Sequence, residues 1–219
     1  TVYNNVYPLV IGKFYSASSL GVFSRADSLA QFPSSNITGV LQSVTFPVLS
    51  TIQDEDVRLA NAYRRFLRLS AFIIFPLMLG LSAVADPFIR LALTDKWEGA
   101  IYLLQIMCFA LMWYPIHAIN LNLLQVKGRS DYFLKLEVYK KILGVATLCV
   151  TIPLGLVAMC YGRVFTSVVC LGLNTYYTKK IIGYGFVEQM KDLTHIFIHT
   201  LVMFGLVWLV VQWLPNLWL

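Results

Sequence analysis

Residues 69–85 have the sequence LSAFIIFPLMLGLSAVA, which contains no charged side chain, and the five residues before them, RRFLR at positions 64–68, include three arginines. An apolar run of this kind approaches the roughly 20 residues that a helix needs to cross a bilayer. Arginines next to such a run are typical of the end of a transmembrane helix that faces the cytoplasm. We therefore predict a membrane-spanning helix here, with limits of 69–92.

The composition of the whole chain also indicates a protein that is surrounded by lipid. Of its 219 residues, 58% are hydrophobic and 13% are charged. Soluble domains contain about 45–50% apolar and about 25% charged residues. The chain has too few charges to cover a core of this size with a polar surface, so we predict that its outer surface faces lipid.

Charged clusters divide the sequence into several apolar stretches, which we predict to be helices because backbone groups in lipid must be satisfied within their own segment. The ten-residue alternating segments of a transmembrane barrel do not fit. The predicted spans are 2–14, 27–52, 69–92, 100–124, 141–160, 161–178 and 194–214. The sequence thus predicts an all-α integral membrane protein of about seven transmembrane helices. Because the first stretch is short and the chain begins at Thr1, we expect a fragment of a longer protein.

Basic residues predict the orientation of these spans. The even-numbered connections, 53–68, 125–141 and 179–192, hold 12 of the 17 lysines and arginines. By the positive-inside rule, these connections are predicted to be cytoplasmic. The fifth connection is predicted as a tight turn near Tyr161 and Gly162. The rule also accounts for the net charge of +6, so we predict no nucleic-acid partner.

The stretch 24–52 is the most polar of the predicted spans. Polar residues recur along it at spacings of three and four, which places them on one stripe of a helix. They are Ser24, Ser28, Gln31, Ser35, Thr38, Gln42 and Thr45. Two interpretations stay open: small polar residues that join the helix to its neighbours, or the lining of a hydrated cavity. We favour the cavity, because seven polar positions exceed what packing requires.

Three charged residues flank the outer end of this stripe. Lys13 and Arg25 are explained either by snorkelling to the interface or by a cationic rim that attracts an anionic substrate. Asp27 could pair with a cation or act as an ion-coupling carboxylate. All three are assigned to the candidate cavity.

A second group of polar residues lies in the predicted span 100–124. His117 and Asn120 are three residues apart and share a helix face, so we include both in the candidate cavity, although a hydrogen-bonded packing role for His117 is favoured. His195 and His199 lack the acidic and cysteine neighbours of a metal motif. The four cysteines lie in apolar runs without a C-x-x-C pair. We predict no metal, no cofactor and no catalytic residue, and therefore a protein that is not an enzyme.

Three short segments resemble a known family. They are IGKFYSASSLGVFSRA at 11–26, FPVLS at 46–50 with Gln53, Asp54 and Arg58 after it, and LQVKGRSD at 124–131. These segments are similar to those of bacterial polysaccharide biosynthesis flippases, which are members of the multidrug/oligosaccharidyl-lipid/polysaccharide exporter superfamily. The first segment is fairly specific, and the others are mainly matches of hydropathy and spacing.

The resemblance implies a fold of two six-helix lobes, like that of the multidrug and toxin extrusion transporters. Residues 1–178 would form the second lobe, helices seven to twelve of the family, and residues 179–219 a cytoplasmic connection and a thirteenth helix. The N-terminal lobe would then be missing from this chain and would be its partner within the longer protein.

The resemblance also implies a function. Such a protein would move undecaprenyl-diphosphate-linked oligosaccharide from the cytoplasmic to the periplasmic leaflet of the bacterial inner membrane, by alternating access coupled to an ion gradient. Membrane lipids and polysaccharide polymerase machinery are the other candidate partners. Two alternatives remain: a multidrug or cation antiporter of the same superfamily, and an integral-membrane polymerase or glycosyltransferase.

Overall fold

The computed structural model describes residues 6–213, and within this range the fold is helical throughout. The helices are α1 (Val6–Phe14), α2 (Ala17–Thr51), α3 (Asp56–Ala83), α4 (Ala85–Leu93), α5 (Gly99–Leu111), α6 (Tyr114–Val126), α7 (Ser130–Thr151), α8 (Leu156–Ile182) and α9 (Phe186–Trp213). Short 3₁₀ turns at Asp95–Trp97 and Ile152–Leu154 join two of the pairs. The predicted all-α fold is confirmed. The ends of the predicted spans 2–14 and 194–214 lie outside the described residues.

Within residues 6–213, four helical segments are long and apolar enough to cross a membrane. They are Asp56–Ala83, Gly99–Val126, Leu156–Ile182 and Phe186–Trp213. They contain most or all of the predicted spans 69–92, 100–124, 161–178 and 194–214. The chain is therefore membrane-embedded. The other three predicted spans stay predictions, because α1 is short, α2 is rich in polar residues, and the first half of α7 is charged.

Two helices end four residues before a proline. α3 ends at Ala83 and Pro87 follows, while α5 ends at Leu111 and Pro115 follows. Proline has no N–H to donate to the carbonyl four residues earlier, so the α-helical ladder stops there. The predicted span 69–92 is consequently divided between α3 and α4, and the predicted span 100–124 between α5 and α6.

The predicted boundary between the fifth span, 141–160, and the sixth span, 161–178, is wrong. The turn lies at Ile152–Leu154, not at Tyr161 and Gly162, which are both inside α8. Pro153 begins the break, and Gly155 completes it with a φ of 102° that other residues rarely adopt. No charge marks this turn, so a division of the sequence by charges could not locate it.

The core lies where α2, α3, α5 and α6 meet. Its largest fully buried side chains include Phe23, Tyr63, Phe75, Leu104 and Met107. α8 packs on α5, α6 and α7, and α9 packs mainly along α3. In the C-terminal half of α9, many apolar side chains are not covered by any part of the described chain, as expected for a helix surrounded by lipid.

Candidate functional site

The candidate site is built on α2, which at 35 residues is about 52 Å long and exceeds the thickness of a bilayer core. The hydroxyl of Ser16 caps its first turn by accepting from the backbone N–H of Ser19 at 3.1 Å. Pro33 and Pro47 lie inside the helix without ending it. One face of α2 packs against α5 and α6.

The polar stripe of α2 divides into two parts in the structure. Ser28, Gln31 and Ser35 are exposed, whereas Thr38 and Thr45 are buried at 2% and 0% exposure. Ser24 and Gln42 are partly buried. The three consecutive stripe positions Ser28, Gln31 and Ser35 therefore lie on the open side of α2, whereas Thr38 and Thr45 face the core.

The buried half of the stripe makes contacts within the bundle. The amide of Gln42 donates to the side-chain oxygen of Asn122 on α6 at 3.2 Å. The hydroxyl of Thr38 donates to the carbonyl of Ser34 at 2.6 Å. These contacts fit the packing interpretation for this half, because small polar residues at helix interfaces hydrogen-bond across or within helices. The cavity interpretation is left with Ser28, Gln31 and Ser35.

The exposed half of the stripe adjoins an ion pair. Asp27 accepts from Arg163 of α8 at 2.5 Å and from the amide of Gln31 at 2.8 Å. The Asp27 and Arg163 side chains are only 17% and 19% exposed. The Arg163 guanidinium also lies 5.3 Å from the centre of the Tyr7 ring, within the range of a cation–π interaction. Sequence reasoning missed Arg163 as a partner of Asp27, since it placed Arg163 in a connection.

Two further cations lie at the same end of the bundle without a carboxylate partner. Lys13 and Arg25 are exposed, and neither forms an ion pair with any residue that the structure describes. The Arg25 guanidinium lies 4.9 Å from the ring of Trp97, which holds it against the start of α5. Lys13 and Arg25 therefore place positive charge without a carboxylate partner near the N-terminal end of α2, and Arg25 lies three residues before the exposed Ser28.

Two serine hydroxyl groups donate hydrogen bonds to backbone carbonyls at the break between α5 and α6. Ser34 of α2 donates to the carbonyl of Leu111 at 2.9 Å, and Ser167 of α8 donates to the carbonyl of Ala110 at 3.0 Å. Leu111 needs this partner because the residue four positions later is Pro115. Hydroxyl groups are a usual means of satisfying a broken helix inside a membrane. The sequence stripe did not include either serine; the proline was the available signal.

His117 and Asn120 face α8 and α9 rather than the exposed part of α2. The His117 ring lies 3.0 Å from the Asn174 amide and 3.3 Å from the Ser167 hydroxyl. Asn120 is 1% exposed and accepts from Thr178 at 2.6 Å. The structure thus does not bring these two candidate residues together with Ser28, Gln31 and Ser35.

The amide of Gln189 completes a buried network around Asn120. It donates toward Asn120 at 3.4 Å and toward the Tyr63 hydroxyl at 3.3 Å, and it is fully buried. This network joins α3, α6, α8 and α9. Sequence reasoning missed Gln189, because it lies in a predicted connection where a polar residue gives no signal.

Within residues 6–213, no group of three or more His, Cys, Asp or Glu side chains is placed to hold a metal ion. What the geometry offers is a hydrogen-bonding and cationic surface on a long helix within an apolar bundle. Such an arrangement can bind a polar, anionic group at membrane depth. The class that the fold and site define is an all-α integral membrane protein with a polar surface on one helix.

Comparison with known proteins identifies the relatives of this chain. The family model described as polysaccharide biosynthesis protein matches residues 1–102. A membrane protein in the cps region of Klebsiella pneumoniae is 26% identical over 196 residues, 89% of this chain and 40% of that protein. The lipopolysaccharide biosynthesis protein WzxC of Escherichia coli K12 is 27% identical over 146 residues, 67% of this chain and 30% of WzxC. The predicted resemblance to the bacterial polysaccharide biosynthesis family is confirmed.

A more distant relative extends this set. The succinoglycan biosynthesis transport protein ExoT of Rhizobium meliloti 1021 is 24% identical over 92 residues, 42% of this chain and 19% of ExoT. The chain spans 40% or less of the length of each of these three relatives. No solved structure matches the chain.

Proposed function

We propose that this chain forms part of a transporter that moves lipid-linked oligosaccharide precursors across the bacterial inner membrane, from the cytoplasmic to the periplasmic leaflet. The observation that carries the proposal is the exposed polar part of α2, Ser28, Gln31 and Ser35, with Arg25 three residues before Ser28 and Lys13 at the end of α1. Neither cation forms an ion pair with a residue that the structure describes. A diphosphate-linked sugar is hydrophilic and anionic, so it needs hydrogen-bonding groups and positive charge inside the bilayer. The names of the relatives, which refer to polysaccharide biosynthesis and transport, support this class of substrate.

The mechanism that suits this site is alternating access between two lobes. In transporters built from repeats, the substrate binds near the bilayer midplane and one lobe rocks against the other. The exposed face of α2 would then meet the N-terminal lobe of the longer protein across a shared cavity. Coupling to an ion gradient belongs to the proposal, with the coupling ion left open.

The pairing of the acidic residues favours this substrate over cationic drugs. Asp27 is bonded to Arg163 at 2.5 Å, and Asp86 is bonded to Arg90 at 2.7 Å. Asp27, which adjoins the exposed polar positions, is therefore compensated by Arg163, whereas Asp86 shares Arg90 with Asp95 and Glu98. Lys13 and Arg25 would repel a cation. The site is thus better matched to an anion.

An export assay with single substitutions in the full-length protein tests the proposal. Arg25→Ala should lower the amount of surface polysaccharide by about threefold to fivefold, the value of one exposed charge contact of somewhat below 1 kcal/mol. Lys96→Ala is the matched control, because it removes an exposed cation from the same predicted side outside the candidate site. Equal membrane abundance of both variants must be verified by immunoblot. Normal export by Arg25→Ala would remove Arg25 from the proposed site.

A further inference from the structure

A second cationic site lies at the opposite end of the bundle, where α3 enters the predicted cytoplasmic connection. An open groove of about 340 Å³ is lined by Asn61, Arg64, Arg65 and Arg68. These residues are spaced at three, four and seven positions, so they share one face of α3. The groove is separate from the exposed polar positions of α2.

Two of its arginines are held in fixed positions. Asp192 of α9 accepts from Arg64 at 2.9 and 3.2 Å and from Arg68 at 2.5 Å. The Arg64 guanidinium also lies 5.0 Å from the Tyr184 ring, and Tyr184 donates to Asp192 as well. Side chains held in this way lose little freedom when they bind a ligand.

The charges of the groove do not balance. Arg64 and Arg68 share the single carboxylate of Asp192, and both remain about half exposed. Arg65 is exposed and takes part in no ion pair within residues 6–213. Three guanidinium groups therefore surround the groove against one carboxylate, so it can accept an anion. Guanidinium groups are well suited to phosphate, because they present paired N–H donors.

An apolar surface continues directly from the groove along the same helix. Leu69, Phe72 and Ile73 follow Arg68 and are 47%, 66% and 40% exposed. Phe72 lies one turn beyond Arg68 and two turns beyond Arg65, on the same face. Because these side chains belong to a segment long and apolar enough to span a membrane, we expect lipid chains to cover them. A ligand with a phosphate at one end and acyl chains at the other matches both parts.

We infer that this groove binds the headgroup of an anionic glycerophospholipid of the cytoplasmic leaflet, with its acyl chains along Leu69 and Phe72. Basic pockets at the cytoplasmic ends of transmembrane helices are suited to anionic headgroups. A glycerophospholipid is favoured over the transported lipid because Asp192 fixes the arginines beside α9, away from the open side of α2. The inference rests on the membrane location and does not depend on the proposed transport.

Lipid titration of the purified full-length protein by native mass spectrometry tests this inference. Phosphatidylglycerol and phosphatidylcholine with identical acyl chains are the probes. The wild type should bind phosphatidylglycerol more tightly, and Arg65→Gln should weaken that binding about fivefold, the expected effect of one arginine near an anionic surface. Arg65 is exposed and forms no ion pair with the residues that the structure describes, so its replacement should leave the structure intact. Arg58→Gln is the matched control on the same helix, since Arg58 is exposed but paired with Glu55.

Each contrary result has a defined meaning. Equal affinity for the two lipids, or equal weakening by Arg65→Gln and Arg58→Gln, would show general surface charge rather than a site. Displacement of phosphatidylglycerol by an equal concentration of inorganic phosphate would show a site for soluble anions. Tighter binding of undecaprenyl phosphate, lost in Arg65→Gln, would assign the groove to the lipid carrier. Any of these results would overturn the inference.

Discussion

Asp27 and Arg163 show how a pair of charges inside an apolar helix bundle can be tolerated. The two side chains are mostly buried, and Gln31 and the Tyr7 ring complete their surroundings. An ionic group in such a place is costly unless it is paired, and removing one partner leaves the other uncompensated. The pair joins α2 to α8 beside the exposed polar positions, so it fixes the helix that carries the candidate site.

Breaking this pair should destabilise the protein. We expect Asp27→Asn to lower the free energy of unfolding by about 1–3 kcal/mol, less than for a fully buried pair because both groups retain some exposure. The measurement is the thermal unfolding midpoint of the full-length protein in detergent. The exchange Asp27→Arg with Arg163→Asp is the control, and it should recover part of the loss. An unchanged midpoint for Asp27→Asn would mean that the pair is not stabilising.

At the scale of elements, α7 and α8 pack closely because Gly162 has no side chain. A Cβ atom at this position would lie 3.0 Å from the methyl groups of both Thr147 and Thr151 on α7. Small residues allow helices in membranes to approach closely, and dispersion contacts then stabilise the pair. Gly172 lies on the same helix, but a Cβ atom there would meet nothing within 4 Å.

These two glycines form a matched pair for substitution. Gly162→Ala should lower the thermal unfolding midpoint, because α7 must move away by a few tenths of an ångström or more. Gly172→Ala should leave it unchanged or raise it slightly, since alanine favours a helix interior by about 1 kcal/mol relative to glycine. A loss of stability in both variants, or in Gly172→Ala alone, would contradict the packing described for α7 and α8.

The attachment of α9 to α3 is concentrated in its first half. Gln189 is buried in the network with Asn120 and Tyr63, and Asp192 binds Arg64 and Arg68. The ring of Phe197 then packs at 6.0 Å from that of Phe75. Beyond these contacts, most of α9 is exposed.

Replacing Gln189 should loosen this attachment. Gln189→Leu leaves the buried amide of Asn120 and the Tyr63 hydroxyl without their shared partner, a loss of about 2–4 kcal/mol. Hydrogen–deuterium exchange of the full-length protein should then rise in the first three turns of α9. Lys191→Gln is the control, because this side chain is exposed and should leave exchange unchanged. Protection equal to the wild type in Gln189→Leu would place the attachment elsewhere.

At the scale of the whole molecule, the sequence predicted helix type and membrane location well, because hydropathy reports directly on the solvent of a helix. The boundaries of the segments were harder to predict from the sequence. The turn at Ile152–Leu154 has no charge to mark it, so a division of the sequence by charges places Arg163 in a connection instead of inside α8. The periodicity of α2 located its polar stripe, but it could not show that Thr38 turns inward while Ser35 stays open. That distinction depends on where α5 and α6 pack.

The partners of the polar residues were the least predictable part of the site. Arg163 lies 136 residues from Asp27, and Gln189 lies 69 residues from Asn120. A single sequence has no signal for such pairings unless a residue type is unusual for its position. Lys13 and Arg25 were recognisable because each is a cation next to an apolar stretch. Their role remains a prediction.

The central claim is that the exposed half of the α2 stripe faces a water-filled cavity. The most direct test places single cysteines at Ser28, Gln31 and Ser35 of a cysteine-free full-length protein in intact cells, followed by labelling with a membrane-impermeant thiol reagent. Val202 and Leu206 of α9 are the controls, because they are also exposed but lie in a segment apolar enough to span a membrane, where we expect them to face lipid. We expect labelling at the three α2 positions and protection at the two α9 positions. Protection at all five positions would show that the stripe faces lipid or protein, and the proposed transport cavity would have to be abandoned.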